Sequence, residues 1–149
     1  MMFYRSVCYI FWLIFFAFLV GCGSVDRGKH SCAILLESYG ETCPCSVILP
    51  VSSLHVNVAP TPLFDEKDIR NITVRECIHG HLLIVTLTDH AAYEMHRLVA
   101  DAYGRKILFE YNGMLIGFSI LDDAIDSHEL IFVPEISSEA CCNLFCSER

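Results

Sequence analysis

Between residues 72 and 78 the chain alternates. Ile72, Val74, Glu76 and Ile78 interleave with Thr73, Arg75 and Cys77, the period of two that a half-covered strand requires. A turn at His79-Gly80-His81 leads into the unbroken run Leu82 to Leu87, predicting a hairpin whose second strand is central. The period then changes. Thr88 is a good N-cap, Asp89 suits the positive end of a helix dipole and Gly104 is placed to end the element, so a helix is predicted from Asp89 to Tyr103. Ala92, Met95, Val99, Ala102 and Tyr103 fall on one face of it. Glu94, Arg97 and Asp101 fall on the other, spaced so that Arg97 reaches either acid.

A second hairpin centres on Asn112-Gly113, the pair that best tolerates the positive φ angles of a type I′ turn. Regular pairing from that turn sets Tyr111 against Met114, Phe109 against Ile116 and Ile107 against Phe118. Those six side chains then share the face the helix covers, with Leu108, Glu110, Leu115 and Gly117 opposite. A last strand, Glu129 to Val133, follows the acidic loop Asp122 to His128. Upstream, Pro60 and Pro62 interrupt any regular element, and Asp65 can cap a helical turn from Glu66 to Ile69. Earlier still, Ala33 to Leu36 and Val47 to Leu49 are short candidate strands around a turn-rich stretch. The order fits an α+β fold: a small antiparallel sheet with one main helix, Asp89 to Tyr103, packed on one face.

The N-terminus follows a different rule. Arg5 precedes a charge-free apolar run from Val7 to Val20 that ends in small residues, the three-part pattern of an export signal. Leu19-Val20-Gly21-Cys22 resembles the lipobox of bacterial lipoproteins, which implies cleavage before Cys22 and lipid on its sulfur. Two or three acyl chains on one residue hold a protein durably where a single chain does not. An uncleaved anchor is the alternative, although the apolar core is short for a bilayer. Residues 1–21 are thus read as signal peptide and 22–31, polar and aperiodic, as a tether. Residues 32–56 form an extension of unassigned structure, 57–137 the domain and 138–149 a cysteine-rich tail.

Composition sharpens this. The apolar share of 54% is inflated by the export segment. All the acids lie beyond it and Arg5 within it, so the remainder is one unit more negative than the −8 of the whole chain. Nucleic acid is an unsuitable partner, because binding it requires clustered cations. Membrane attachment is left to Cys22.

Pro62-Leu63-Phe64-Asp65-Glu66-Lys67-Asp68-Ile69, Leu83-Ile84-Val85-Thr86-Leu87-Thr88, Gly104-Arg105-Lys106 and Asn112-Gly113 followed by Leu115-Ile116 resemble the head of the first periplasmic domain of the SecD protein-export subunit. The resemblance covers roughly residues 57 to 137. It departs in having Asn-Gly where that family has Asp-Gly, and in lacking a proline after the hairpin. The transmembrane helices through which SecD couples proton flow to movement have no counterpart past the N-terminal segment. What the resemblance implies is a domain that holds polypeptide or an envelope protein outside the cytoplasm, facing the periplasm or exterior, and not a translocation motor.

Candidate chemistry is thinner. In an oxidising compartment Cys32, Cys43, Cys45, Cys141, Cys142 and Cys146 are candidates for disulfides, and Cys77 is the thiol left over if its strand position is buried. The same cysteines supply the alternative reading, a redox or metal-binding lipoprotein, but neither C-x-x-C nor paired zinc-ligand spacing occurs. His79 and His81 with His90 or His96 are too loosely spaced to define a metal site, and Asp122, Asp123, Asp126 and Glu129 lack the spacing of a calcium loop. No nucleophile, phosphate-loop or zinc-hydrolase motif appears. The expectation is a binding domain without catalysis or cofactor.

Overall fold

The computed structural model of the chain describes residues 31–40, 45–78, 80–122 and 128–145. In order, these form β1 (Cys32–Leu36), β2 (Cys45–Ile48), β3 (His55–Val58), β4 (Phe64–Asp65), β5 (Ile69–Cys77) and β6 (Gly80–Leu87). There follow α1 (Asp89–Asp101), β7 (Lys106–Tyr111), β8 (Met114–Ile120), β9 (Glu129–Pro134) and α2 (Ser138–Phe145). Seven strands make one antiparallel sheet, ordered β4-β1-β7-β8-β9-β6-β5, and β2 and β3 make a separate hairpin. The fold is α+β, as the patterning predicts. Among the described residues no helix is long and apolar enough to cross a membrane.

Two cores flank the sheet. On one face Ala91, Ala92 and Met95 of α1 and Cys141 of α2 close on Ile34, Leu83, Val85, Ile107, Phe109, Ile116 and Phe132. On the other, Leu49, Val56 and Val58 of the small hairpin cover Ala33, Leu35 and Leu108. Each residue of β1 from Cys32 to Leu35 is therefore buried, which explains its continuous apolar run. Residues 32–56, unassigned from the sequence, supply an inner strand of the large sheet and most of the second layer, whose strand β3 runs on to Val58. The tail supplies α2, opened by the Ser137 hydroxyl, which accepts from Ala140 N–H at 3.2 Å.

Thr88 caps α1 by accepting from Ala91 N–H at 3.4 Å, and Gly104 follows the helix with φ +78°. The helix ends at Asp101, two residues earlier than predicted, and Tyr103 faces solvent instead of the core. Arg97 meets Glu94, at 3.5 Å. The turn expected to be helical at Glu66 to Ile69 is a tight turn between β4 and β5. Asp65 Oδ1 accepts from Lys67 N–H at 2.8 Å and its carbonyl from Asp68 N–H at 3.0 Å, so the carboxylate does cap a turn, but strand pairing resumes before a helix can grow. At the first hairpin Cys77 pairs with Gly80, so the turn falls earlier than His79-Gly80-His81, and Ile78 is fully exposed. Gly80, with φ +126°, takes a backbone conformation that other residues resist.

The second hairpin turns at Asn112 (φ +48°) and Gly113 (φ +79°), and Tyr111 pairs with Met114 as expected. The predicted register also holds for Glu110 with Leu115, and fails beyond that pair. A bulge between Phe109 and Glu110 sets Phe109 against Gly117, Leu108 against Phe118 and Ile107 against Ser119. Ile116 stays in the helix-side core and Leu115 on the opposite face, as expected, but the extra residue moves Phe118 to that opposite face, which β2 and β3 cover, and Met114 lies exposed. Gly117 fits this place because an added Cβ would lie 3.1 Å from both Phe132 Cβ and the Val133 carbonyl oxygen. Gly113→Ala is expected to cost about 1 kcal/mol, the strain of a left-handed L-residue, read as a lower Tm with the folded-state spectrum unchanged.

The end of β1 is pinned by a buried acid. Glu37 accepts from Lys106 N–H at 2.8 Å, Lys106 Nζ at 3.0 Å and Tyr39 O–H at 2.9 Å, and its carbonyl accepts from Arg105 Nε at 2.9 Å. Burial pushes this carboxyl up, but the Lys106 and Tyr39 donors outweigh burial and hold it below its ordinary value.

Candidate functional site

A groove of about 440 Å³ opens beside β2. Val47 and Ile48 of β2 and Pro50 line it together with Glu110, Met114 and Leu115 of the second hairpin and Ile136 after β9. Ile48 is 57% exposed and Met114 54%, and Val51, next to the lining Pro50, is 68% exposed. Water-exposed apolar side chains gathered around a concavity are a recognition feature, unlike scattered surface leucines.

Its rigidity has identifiable sources. Leu49 is fully buried in the second core and anchors the end of β2. The loop that follows closes by Ser53 N–H donating to the Leu49 carbonyl and Leu49 N–H to the Leu54 carbonyl, each at 3.0 Å, with Ser53 at φ +55°. The buried Glu135 carboxylate accepts from Val51 and Ser52 N–H, both at 2.9 Å, while Glu135 N–H donates to the Ile116 carbonyl at 2.8 Å. One carboxylate thereby fastens the loop beside the groove to the end of β9. Neither the groove nor this link was legible in the sequence, since their residues come from segments 47–51, 110–115 and 135–136. The local signals were the Val47 to Leu49 run and the Asn112-Gly113 turn.

The sequence-predicted thiols are dispersed. Cys22, Cys43 and Cys146 lie outside the described residues. Cys32 is a buried free thiol at the start of β1. Burial raises its pKa against an opposing Ser31 hydrogen bond, and Glu66 and Asp65 add to the rise. Cys45 opens β2 as a half-buried free thiol, and Cys77 is free but exposed, not the buried strand residue envisaged. Cys141 packs in the main core, whereas Cys142 Sγ lies 3.5 Å from His81 Nε2. The same nitrogen is 3.8 Å from Glu76 Oε1, and the buried Nδ1 of His81 has no hydrogen-bond partner among the described residues. His90 and His96 are exposed on α1, and His79 lies outside the described residues. Among the described residues no three or more His, Cys, Asp or Glu side chains are grouped to hold a metal ion. Asp122 and Glu129 are exposed, and 123–127 lie outside the described residues.

No family model matches the chain, and no curated protein matches its sequence. Among solved structures it is similar to the crystal structure of SecDF in a super-membrane-facing form, with a TM-score of 0.55 and 12% identity over 78% of this chain and 18% of that one. It is also similar to the structure of SecDF described as a membrane component that enhances protein export. There the TM-score is 0.55 and identity 11%, over 78% of this chain and 60% of that one. The chain thus spans less than two thirds of either neighbour, and at such identity the likeness is one of fold. A SecD-like domain, suggested by the sequence, is the architecture observed.

Proposed function

We propose that the chain is a membrane-anchored envelope lipoprotein whose head, like that of the first periplasmic domain of SecD, binds polypeptide or a partner protein outside the cytoplasm without catalysis, in support of protein export. The fold likeness to SecDF carries this reading. The exposed apolar groove gives it a surface on which binding can occur. Lipid on Cys22, following the signal segment, supplies the anchor, and the acidic remainder of the chain keeps the head off anionic headgroups. Two measurements test it. Radiolabelled palmitate should mark the wild-type chain and not Cys22→Ala, and a photo-crosslinking unfolded polypeptide should attach to the purified protein. Absence of label removes the anchor. Absence of crosslinks removes the binding role.

A redox or metal-handling function is the second reading, favoured by the contact of Cys142 with His81. A thiol beside an imidazole is activated when the pair ionises. Alkylation of Cys142 faster than of Cys77, or stoichiometric zinc in the purified protein, would support this role against the first.

A further inference from the structure

One wall of the groove is a strand edge, and its backbone, unpaired among the described residues, identifies what fits there. Leu49 N–H donates to the Leu54 carbonyl, so these residues form a hydrogen-bonded pair of the β2–β3 ladder. Such pairs alternate along an antiparallel ladder, which assigns Val47 with Val56 and Cys45 with Val58 to the bonded type. Ser46 and Ile48 then turn their N–H and C=O groups away from β3. The partner strand agrees: Asn57, opposite Ser46, directs its carbonyl away from β2 and accepts from Ser38 N–H at 2.7 Å. Among the described residues no strand pairs with that side of β2. The groove is lined by β2 and by no residue of β3, so it lies on the open side.

Two sets of outward donors and acceptors, two residues apart, therefore border an apolar channel along a strand about 13 Å long. An added strand satisfies those groups and places alternate side chains against Leu115, Met114 and Ile136. The acyl chains that would fill an apolar channel offer no donors for the Ser46 and Ile48 carbonyls. A second copy brings the same excess of acidic residues to a groove lined by Glu110.

Resting on the polypeptide-binding reading above, we infer that the groove captures an extended apolar segment of another polypeptide, carrying Lys or Arg, by strand addition to β2 between Cys45 and Ile48. The backbone supplies affinity without reading sequence, the apolar lining selects β-branched or large aliphatic side chains, and the Glu110 carboxylate in the lining together with the acidic net charge of the chain favours a basic segment.

The test uses the full-length lipidated protein in neutral detergent and a fluorescein-labelled heptapeptide of alternating Val and Thr flanked by Lys. Binding should saturate. It should weaken about tenfold or more when alternate peptide amides are N-methylated, which removes ladder donors without altering the protein. Ser46→Pro should weaken binding to a similar degree, because proline is tolerated where the N–H of an edge strand points outward, yet it removes that donor and obstructs pairing. Exchanging the flanking Lys for Glu should weaken it further. Equal affinity for plain and N-methylated peptides, with crosslinking to unfolded polypeptide retained, overturns the strand-addition site and leaves the wider reading standing. Loss of all polypeptide capture overturns both. Concentration-dependent dimers that Ser46→Pro abolishes, or detergent-free binding to phosphatidylcholine vesicles that Met114→Asp abolishes, assign the groove to another occupant.

Discussion

Phe109→Ala is expected to lower the unfolding free energy by about 3–5 kcal/mol, the range for emptying a buried aromatic site. The ring is fully buried in β7, lies 5.5 Å from that of Phe132 and sits opposite Gly117, so removing it leaves a space that a glycine cannot help to fill. No larger side chain at Gly117 can fill it either, since an added Cβ there would already lie 3.1 Å from Phe132 Cβ and the Val133 carbonyl oxygen. A domain of this size has a total stability of roughly 5–15 kcal/mol, making the loss a large fraction of the whole. Urea denaturation should show a lower midpoint with an unchanged m value. A loss below about 1 kcal/mol would show that the site repacks, contrary to this account of Gly117.

Glu37→Ala should cost about 3 kcal/mol, at the low end for breaking a buried ion pair, because the Lys106 side chain keeps 27% of its surface exposed. The loss comes from stranding the Lys106 and Tyr39 donors and loosening the junction of β1 with β7. Glu37→Gln, which keeps a polar group of similar shape, should cost less. The pH dependence has a definite sign. The folded carboxyl is held below its ordinary value, so its stabilising contribution is complete above the ordinary carboxylate range near ~4.3 and disappears as pH falls through the folded value. Wild type and Glu37→Gln should therefore differ most near neutrality and converge in acid. A gap that persisted well below that range would show that Glu37 acts by shape and not by charge.

Local signals were legible and distant pairings were not. Thr88, the Asn112-Gly113 turn and the alternation in β5 each report on backbone geometry within a few residues, and each corresponds to an observed cap, turn or strand. The bulge escaped the pattern because what it accommodates is distant in sequence: Gly117 is set beside Phe132, 15 positions further along the chain. Tyr103, apolar enough to be counted in the helix stripe, lies past the point where α1 ends and so turns outward. Ala33 to Leu36 read only as an isolated short strand, since nothing within it says that β4 and β7 lie on either side. The groove was hidden for the same reason, its walls being assembled from three distant segments.

By itself the sequence determined the class of fold, the main helix, both major hairpins and the strand that follows them, because propensity, capping and turn geometry act over one or two turns of chain. Tertiary structure alone decided that residues 32–56 complete the sheet and cover its second face, that the tail is a core helix, and that one edge of β2 stands open beside an apolar channel. Those features depend on which strands close together across long loops. That choice is made by the shared burial of surfaces far apart in the chain, and no local pattern records it.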